Sequence, residues 1–127
     1  MDYEFFSENE LACKCPRLHT VGMDPDFMKK LVELRRFLGF PIILASAYRC
    51  PEHNQEVSNT GPNGPHTTGR AIDAKLYGQR AYALVKAAPN FGFTGIGVNQ
   101  KGDIGSRFIH LDDLTEMPHP RPWVWSY

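Results

Sequence analysis

No apolar run in this chain approaches the roughly 20 residues a helix needs to cross a bilayer, so no helical membrane span is expected. The start lacks a basic stretch followed by an apolar core, and no secretory signal is expected. A charge excess of either sign is missing too: 14 Lys and Arg balance 14 Asp and Glu. A neutral chain has no bulk electrostatic footprint for nucleic acid or an acidic membrane, and neither partner is expected. Cysteine is scarce, with only Cys13, Cys15 and Cys50. An odd count of three does not make a disulfide framework. Three free thiols are the expectation, with one bridge from Cys50 to Cys13 or Cys15 the alternative. A zinc site of these cysteines with His19 is disfavoured, because Cys13-x-Cys15 lacks the two-residue spacing of a zinc knuckle.

What remains is an ordinary globular composition, 42% apolar and 22% charged over 127 residues. That length suits one domain, spanning residues 1–127, with a proper core. Ten Pro and eleven Gly imply many turns and long loops.

Asp24-Pro25 is a helix start, a capping carboxylate followed by proline. Phe27, Leu31, Leu34 and Leu38 recur at helical spacing, and Gly39 with Pro41 ends the helix. Lys29, Lys30, Arg35 and Arg36 read as its solvated face. Residues 42–47 read as a short apolar strand at the sheet centre, delivering Tyr48 and Arg49 at its end. Pro51 starts a short helix to about Val57, on which His53 and Glu56 read as a solvated pair. Residues 79–88 read as a helix with Tyr82 and Val85 or Leu84 turned inward. Residues 93–98 and 106–111 read as an antiparallel hairpin. After Asp113 the chain is broken by Pro118, Pro120 and Pro122, and Trp123 and Trp125 are expected to cap the fold. This order predicts an α+β domain with a small, mainly antiparallel sheet.

The densest chemistry lies in Gly64-Pro65-His66-Thr67-Thr68-Gly69-Arg70-Ala71-Ile72-Asp73. Residues 71–76 alternate as a strand, with Ile72, Ala74 and Leu76 on one face and Ala71, Asp73 and Lys75 on the other. Gly69 permits a turn that brings His66 back over this strand. A later piece, Arg107-Phe108-Ile109-His110-Leu111-Asp112-Asp113, repeats the alternation: Ile109 and Leu111 on one face, Phe108, His110 and Asp112 on the other. If the two strands pair, Asp73 and His110 lie side by side, about 5 Å apart. His66, Asp73 and His110 then form a zinc site with room for water.

The spacing His66-x-x-Gly69-x-Ala71-x-Asp73, with a later His on a strand, resembles the metal motif of the M15 zinc D-Ala-D-Ala peptidases. Ser46-Ala47-Tyr48-Arg49 is similar to a Ser-Gly-Tyr-Arg segment of that family. Residues 50–54, residues 6–15 and the closing Trp125-Ser126-Tyr127 resemble its small phage- and prophage-associated branch. Gly64 stands where the family motif has Ser, which removes a hydrogen-bonding hydroxyl near the site but no ligand. The resemblance implies the fold shared by these peptidases and the hedgehog signalling domain, one zinc per chain, and hydrolysis of the peptidoglycan stem peptide next to D-amino acids. Removal of a terminal residue and cleavage of a cross-link both stand open. It also implies that Arg49 acts on the substrate, where a guanidinium suits paired oxygens. The expected protein is a monomer made in the cytoplasm, which reaches the wall only if released, as a phage lysin would be.

Hydrolysis needs a base for the attacking water. Many relatives have an acid three residues before the last His, where this chain has Arg107. Asp112, on the strand face of His110, is the expected base, with orientation of a ligand His as its alternative role. Asp113 should point away; Asp103, Glu116 and His119 are further candidates. A non-catalytic, metal-containing binding or structural module of the same fold is the second functional reading, favoured by Arg107. A non-haem iron oxygenase, suggested by His110-x-Asp112, is disfavoured because the chain has too few strands for a double-stranded barrel.

Overall fold

A short helix, α1 (Glu8–Leu11), and a longer one, α2 (Pro25–Leu38), lead the chain in the computed structural model, which describes residues 3–17 and 22–127. Asp24 caps α2 by accepting from the Asp26 and Phe27 amides at 2.8 and 3.2 Å. Gly39 closes it in the left-handed conformation at φ 75°. Five strands follow among the described residues: β1 (Leu44–Ser46), β2 (Ala71–Ala74), β3 (Gly95–Asn99), β4 (Phe108–Asp112) and β5 (Trp123–Ser126). Helix α3 (Pro51–Val57) lies between β1 and β2, and α4 (Gly78–Ala87) between β2 and β3. The sheet order is β1-β2-β4-β3-β5, antiparallel throughout except for the parallel pair β3–β5. The fold is α+β, as the element pattern predicts. Among the described residues no helix is long and apolar enough to cross a membrane.

The core lies on one face of this sheet. Ile72 and Ala74 of β2 and Ile109 and Leu111 of β4 meet Phe27, Met28, Leu31 and Leu34 of α2 and Ala81 and Leu84 of α4, all buried. Phe27 and Phe93 add an edge-to-face contact at 5.5 Å. Each of the larger of these side chains, Ile, Leu, Met or Phe, contributes about 1.5–3 kcal/mol on burial. Because strand side chains alternate, the same residues that build the core turn Asp73, His110 and Asp112 to the opposite face.

Four expectations are corrected. β1 is an edge strand, not the sheet centre; its free side is covered by α1, whose Glu10 carboxylate accepts from the Leu44 amide at 3.2 Å. Tyr82 is 70% exposed, because the buried stripe of α4 runs through Ala81, Leu84 and Ala87 instead. Lys30 is not simply solvated: its ammonium pairs with buried Asp113 at 2.9 Å, and Arg35 lies over the Phe5 ring at 4.3 Å. The proline-broken tail returns as β5, a strand that local alternation did not announce. Of its two tryptophans, Trp123 is 57% exposed, while Trp125 sits over the His110 ring with centroids 5.0 Å apart.

That last contact depends on Gly97, which is paired with His110 on one side and Trp125 on the other. A Cβ at Gly97 would come within 2.6 Å of the Trp125 indole. Gly97→Ala should therefore cost about 1–3 kcal/mol by overpacking. Gly105→Ala, whose Cβ would meet nothing within 4 Å, should stay within about 0.5 kcal/mol of the parent. Urea unfolding followed by tryptophan emission checks both.

Candidate metal centre

Three donor atoms converge on the sheet face opposite the core. β2 and β4 pair with Asp73 directly against His110, as the alternation predicts. His66 comes from the short 3-10 turn Pro65–Thr68, which ends at Gly69 with φ 75°. A side chain at Gly69 would be strained by that φ and would run into the Gly22 carbonyl. The Asp24 amide also donates to the Gly69 carbonyl at 2.8 Å, tying the turn to the start of α2.

The three side chains meet at one carboxylate oxygen. His66 Nε2 lies 3.3 Å and His110 Nδ1 3.2 Å from Asp73 Oδ1. A tetrahedral zinc with bonds of about 2.0–2.1 Å holds its donors about 3.3 Å apart, so this set has the right dimensions for one ion. The outer nitrogen of each imidazole is occupied. His66 Nδ1 lies 2.8 Å from the Ala47 carbonyl, and His110 Nε2 lies 2.7 Å from Asp112 Oδ2. With an ion bound, N–H donation to these oxygens would leave each ring a lone pair toward the centre, which is how ligating histidines are held. His66, Asp73 and His110 are all buried. Burial alone would raise the Asp73 carboxyl, but hydrogen bonds from His110 and His66 overcome it and hold it far below the ordinary carboxylate range. Burial alone would likewise lower His110, and Asp112 and Asp73 reverse it.

Asp112 has a different place from the one expected of a base. It lies on the far side of the His110 ring from the donor cluster, with no exposed surface. Both of its oxygens accept from Arg121, Nε and Nη2 each at 2.8 Å. Burial pushes its carboxyl up, yet Arg121 and His110 bring it down to about 2. A carboxylate so occupied orients His110 and is poorly placed to take a proton from water. Strand alternation gives the face of Asp112 but not the side of the imidazole it occupies. Sequence reasoning missed Arg121, because its partner is reached only through β5.

Arg49 does reach the centre. Its Nη2 is 3.6 Å from Asp73 Oδ2, with Nε on the Ser46 hydroxyl at 3.0 Å and Nη1 on Asn54 Oδ1 at 3.1 Å. Asn54 in turn donates to the Thr60 hydroxyl at 2.9 Å. A Cβ at Gly64 would collide with that same Thr60 hydroxyl and the Asn54 amide. The space of the family's serine is thus taken by the groups that steady Arg49.

The other candidates are spread around this centre. Asp113 turns away and is buried against Arg70, at 2.8 and 2.6 Å, and Lys30. Arg107 is directed to the Gly102 carbonyl at 3.1 Å, holding its own turn. Asp103 and Glu116 are exposed in loops. His53 faces Glu56 at 3.7 Å and Glu56 pairs with Arg17 at 3.1 Å, so this helix pair is no ligand set. His119 is half-buried, uses the Asn63 carbonyl as acceptor, and feels the charges of Arg121, Asp112 and His110. The Tyr127 hydroxyl, hydrogen-bonded to Trp125, is raised first by burial and then by Asp73. His19 lies outside the described residues.

Asp112 generates two expected outcomes. Asp112→Asn should weaken zinc binding by about 10–100-fold, read by competition with a chromophoric chelator. In the metal-free protein, the folded carboxyl at about 2 lies below its unfolded value of about 3.9. Its contribution is whole above about pH 4 and is lost as the pH falls toward about 2; it amounts to about 2 kcal/mol. Urea unfolding between these limits should show that loss in the parent and not in Asp112→Asn.

Residues 4–112 match the family described as Peptidase M15. No curated protein matches the chain. The matched span runs from before α1 to the end of β4 and carries His66, Asp73 and His110, together with Arg49. With that span and its converging donors, the chain belongs to the Peptidase M15 family of zinc-dependent metallopeptidases.

Proposed function

We propose that this protein hydrolyses peptide bonds in the peptidoglycan stem peptide next to a D-amino acid. The observation that carries the reading is the convergence of His66 Nε2, Asp73 Oδ1 and His110 Nδ1, with both outer imidazole nitrogens anchored. When bound by these three residues, zinc supplies Lewis acidity toward the attacking water and the scissile carbonyl. Everything else falls to the chain. Asp73 gives the site a negative charge, and Asp112 with Arg121 fixes the tilt of His110. Arg49, steadied by Ser46 and Asn54, presents a guanidinium to the substrate's carboxylate or carbonyl oxygen.

The base is His119. Burial, and then the charge of Arg121, pull its imidazole below the ordinary value, which favours the neutral form that can accept a proton. It takes one from the attacking water as the new C–O bond forms, then delivers it to the amine as the C–N bond breaks. Asp112, fully paired, stays ionised throughout. The substrate class rests on family membership and the fit of a guanidinium to a peptide terminus or carbonyl. Both a terminal D-amino acid and a cross-link present such a group.

The test is incubation of the zinc-loaded protein with stem peptides ending in D-Ala-D-Ala and with cross-linked muropeptides, followed by mass spectrometry. Expected is release of D-Ala or cleavage of the cross-link. His119→Ala should lower kcat by about 10²–10⁴-fold with zinc content unchanged. Arg49→Lys should not restore the loss caused by Arg49→Ala, because an ammonium lacks the planar fork. Stoichiometric zinc with no turnover on either substrate would replace this reading with the second one, a metal-bearing binding module. Arg107, which supplies no carboxylate at the position where many relatives have one, is the observation in its favour.

A further inference from the structure

A second set of donors gathers away from the M15 centre. Cys13 and Cys15 follow α1, and Cys50 precedes α3. Their sulfurs all lie within 4.8 Å of one another. Cys13 Sγ is 3.4 Å from Cys15 Sγ, and Cys15 Sγ is 3.6 Å from Cys50 Sγ. A tetrahedral zinc with bonds of about 2.3 Å to sulfur sets its sulfurs about 3.8 Å apart, close to these separations. None of the three is in a disulfide.

The surroundings suit thiolates. The Cys50 amide donates to Cys13 Sγ at 3.3 Å, and the His53 amide donates to Cys50 Sγ at 3.3 Å. The Arg17 guanidinium is hydrogen-bonded to Cys15, a cation beside the second sulfur. Three thiolates this close repel one another unless a cation lies among them. A disulfide answers the geometry less well. It would join two sulfurs at about 2.05 Å and strand the third. The local spacing Cys13-x-Cys15 argues against a knuckle within one loop. The third sulfur, however, arrives 35 positions after Cys15, and a nonlocal site has no such spacing rule.

We propose that Cys13, Cys15 and Cys50 bind a second, structural zinc ion that clamps the N-terminal segment onto the chain between β1 and α3. The clamp acts where it matters for the other centre, because Arg49 directly precedes Cys50 and the Ala47 carbonyl holds His66. Its backbone is already joined there, with the Tyr48 amide donating to the Leu11 carbonyl at 3.4 Å. Three thiolates select a soft or borderline ion such as zinc over magnesium or calcium.

The experiment counts zinc on reduced, zinc-loaded protein after gel filtration. Expected are about two ions per chain in the parent and about one in the double variant His66→Ala/His110→Ala. Alkylating the thiols of the native chain should release one ion to a colorimetric chelator and leave the other. Cobalt in the double variant should give thiolate-to-metal charge-transfer absorption, and adding Cys15→Ser with Cys50→Ser should abolish it. A double variant with a native far-ultraviolet circular dichroism spectrum and no zinc would overturn the proposal. So would alkylation that releases no metal from the parent, or a purified chain two hydrogens lighter than the reduced mass and lacking this ion. The alkylation arm stands even where a variant fails to fold. None of these readouts involves peptide turnover, so failure of the peptidase reading leaves them intact.

Discussion

The pairing of β2 with β4 is the constraint on which the molecule turns. In that register Asp73 faces His110, Ala71 faces Asp112, and Ile72 and Ala74 face Leu111 and Ile109. A slip by one residue would send the apolar side chains to the metal face and the donors into the core. The cost of such a slip is set by the burial of these apolar residues beneath α2 and α4, with Ile72, Ile109 and Leu111 each contributing about 1.5–3 kcal/mol. The core therefore holds the metal centre in register from the opposite face of the sheet. The catalytic geometry is inherited from hydrophobic packing on the other side of the same strands.

Placing donors on a buried sheet face brings carboxylates out of water, and each is answered by a specific cation. Asp73 lies among His66, His110 and Arg49; Asp112 between His110 and Arg121; Asp113 between Arg70 and Lys30. Such pairs are poor sources of net stability, since desolvation offsets most of the attraction, but breaking one by removing a partner costs about 3–5 kcal/mol. Their value here is geometric. Arg70 bridges Asp113 at the end of β4 to Asp24 at the start of α2, so the exit of the turn bearing His66 is tied to both elements. Arg121 performs the corresponding service for His110 through Asp112. The rigid backing of each imidazole is thus a charged network, reached from parts of the chain far apart in sequence.

The convergence of His66, Asp73 and His110 was legible because each position rests on short-range rules. A period of two gave the faces of β2 and β4, and a glycine placed the turn before Asp73. The helix at Asp24-Pro25 was equally plain, since cap, proline and apolar stripe lie within a few residues. What escaped was nonlocal. β5 pairs in parallel with β3 after a proline-rich loop, and nothing in Trp123-Val124-Trp125-Ser126 announces its neighbour. Arg121, just before that strand, was therefore invisible as the partner of Asp112, and with it the duty of Asp112 itself. Tyr82 was misplaced for a smaller reason: on a ten-residue helix, one position of phase decides which aromatic faces water.

Residues 46–50 show how the pieces are joined. The Ser46 hydroxyl and the Asn54 amide oxygen hold Arg49, the Ala47 carbonyl holds His66, and Cys50 meets the two N-terminal thiols. The segment leaves an edge strand of only three residues, so sheet hydrogen bonds alone restrain it weakly. Contacts from α1 and from the sulfur cluster supply the restraint on its other side. The nitrogen and oxygen donors, with an arginine beside them, form a centre open to chemistry. The sulfurs, with amides directed at two of them, form one suited to holding structure. In the hydrolytic role proposed for Arg49, a displacement of about 1 Å would be enough to lower the rate by about 100-fold. A short edge strand that leads into both Arg49 and the Ala47 anchor of His66 needs a fixed point beyond the sheet, and Cys50 stands at the residue after Arg49.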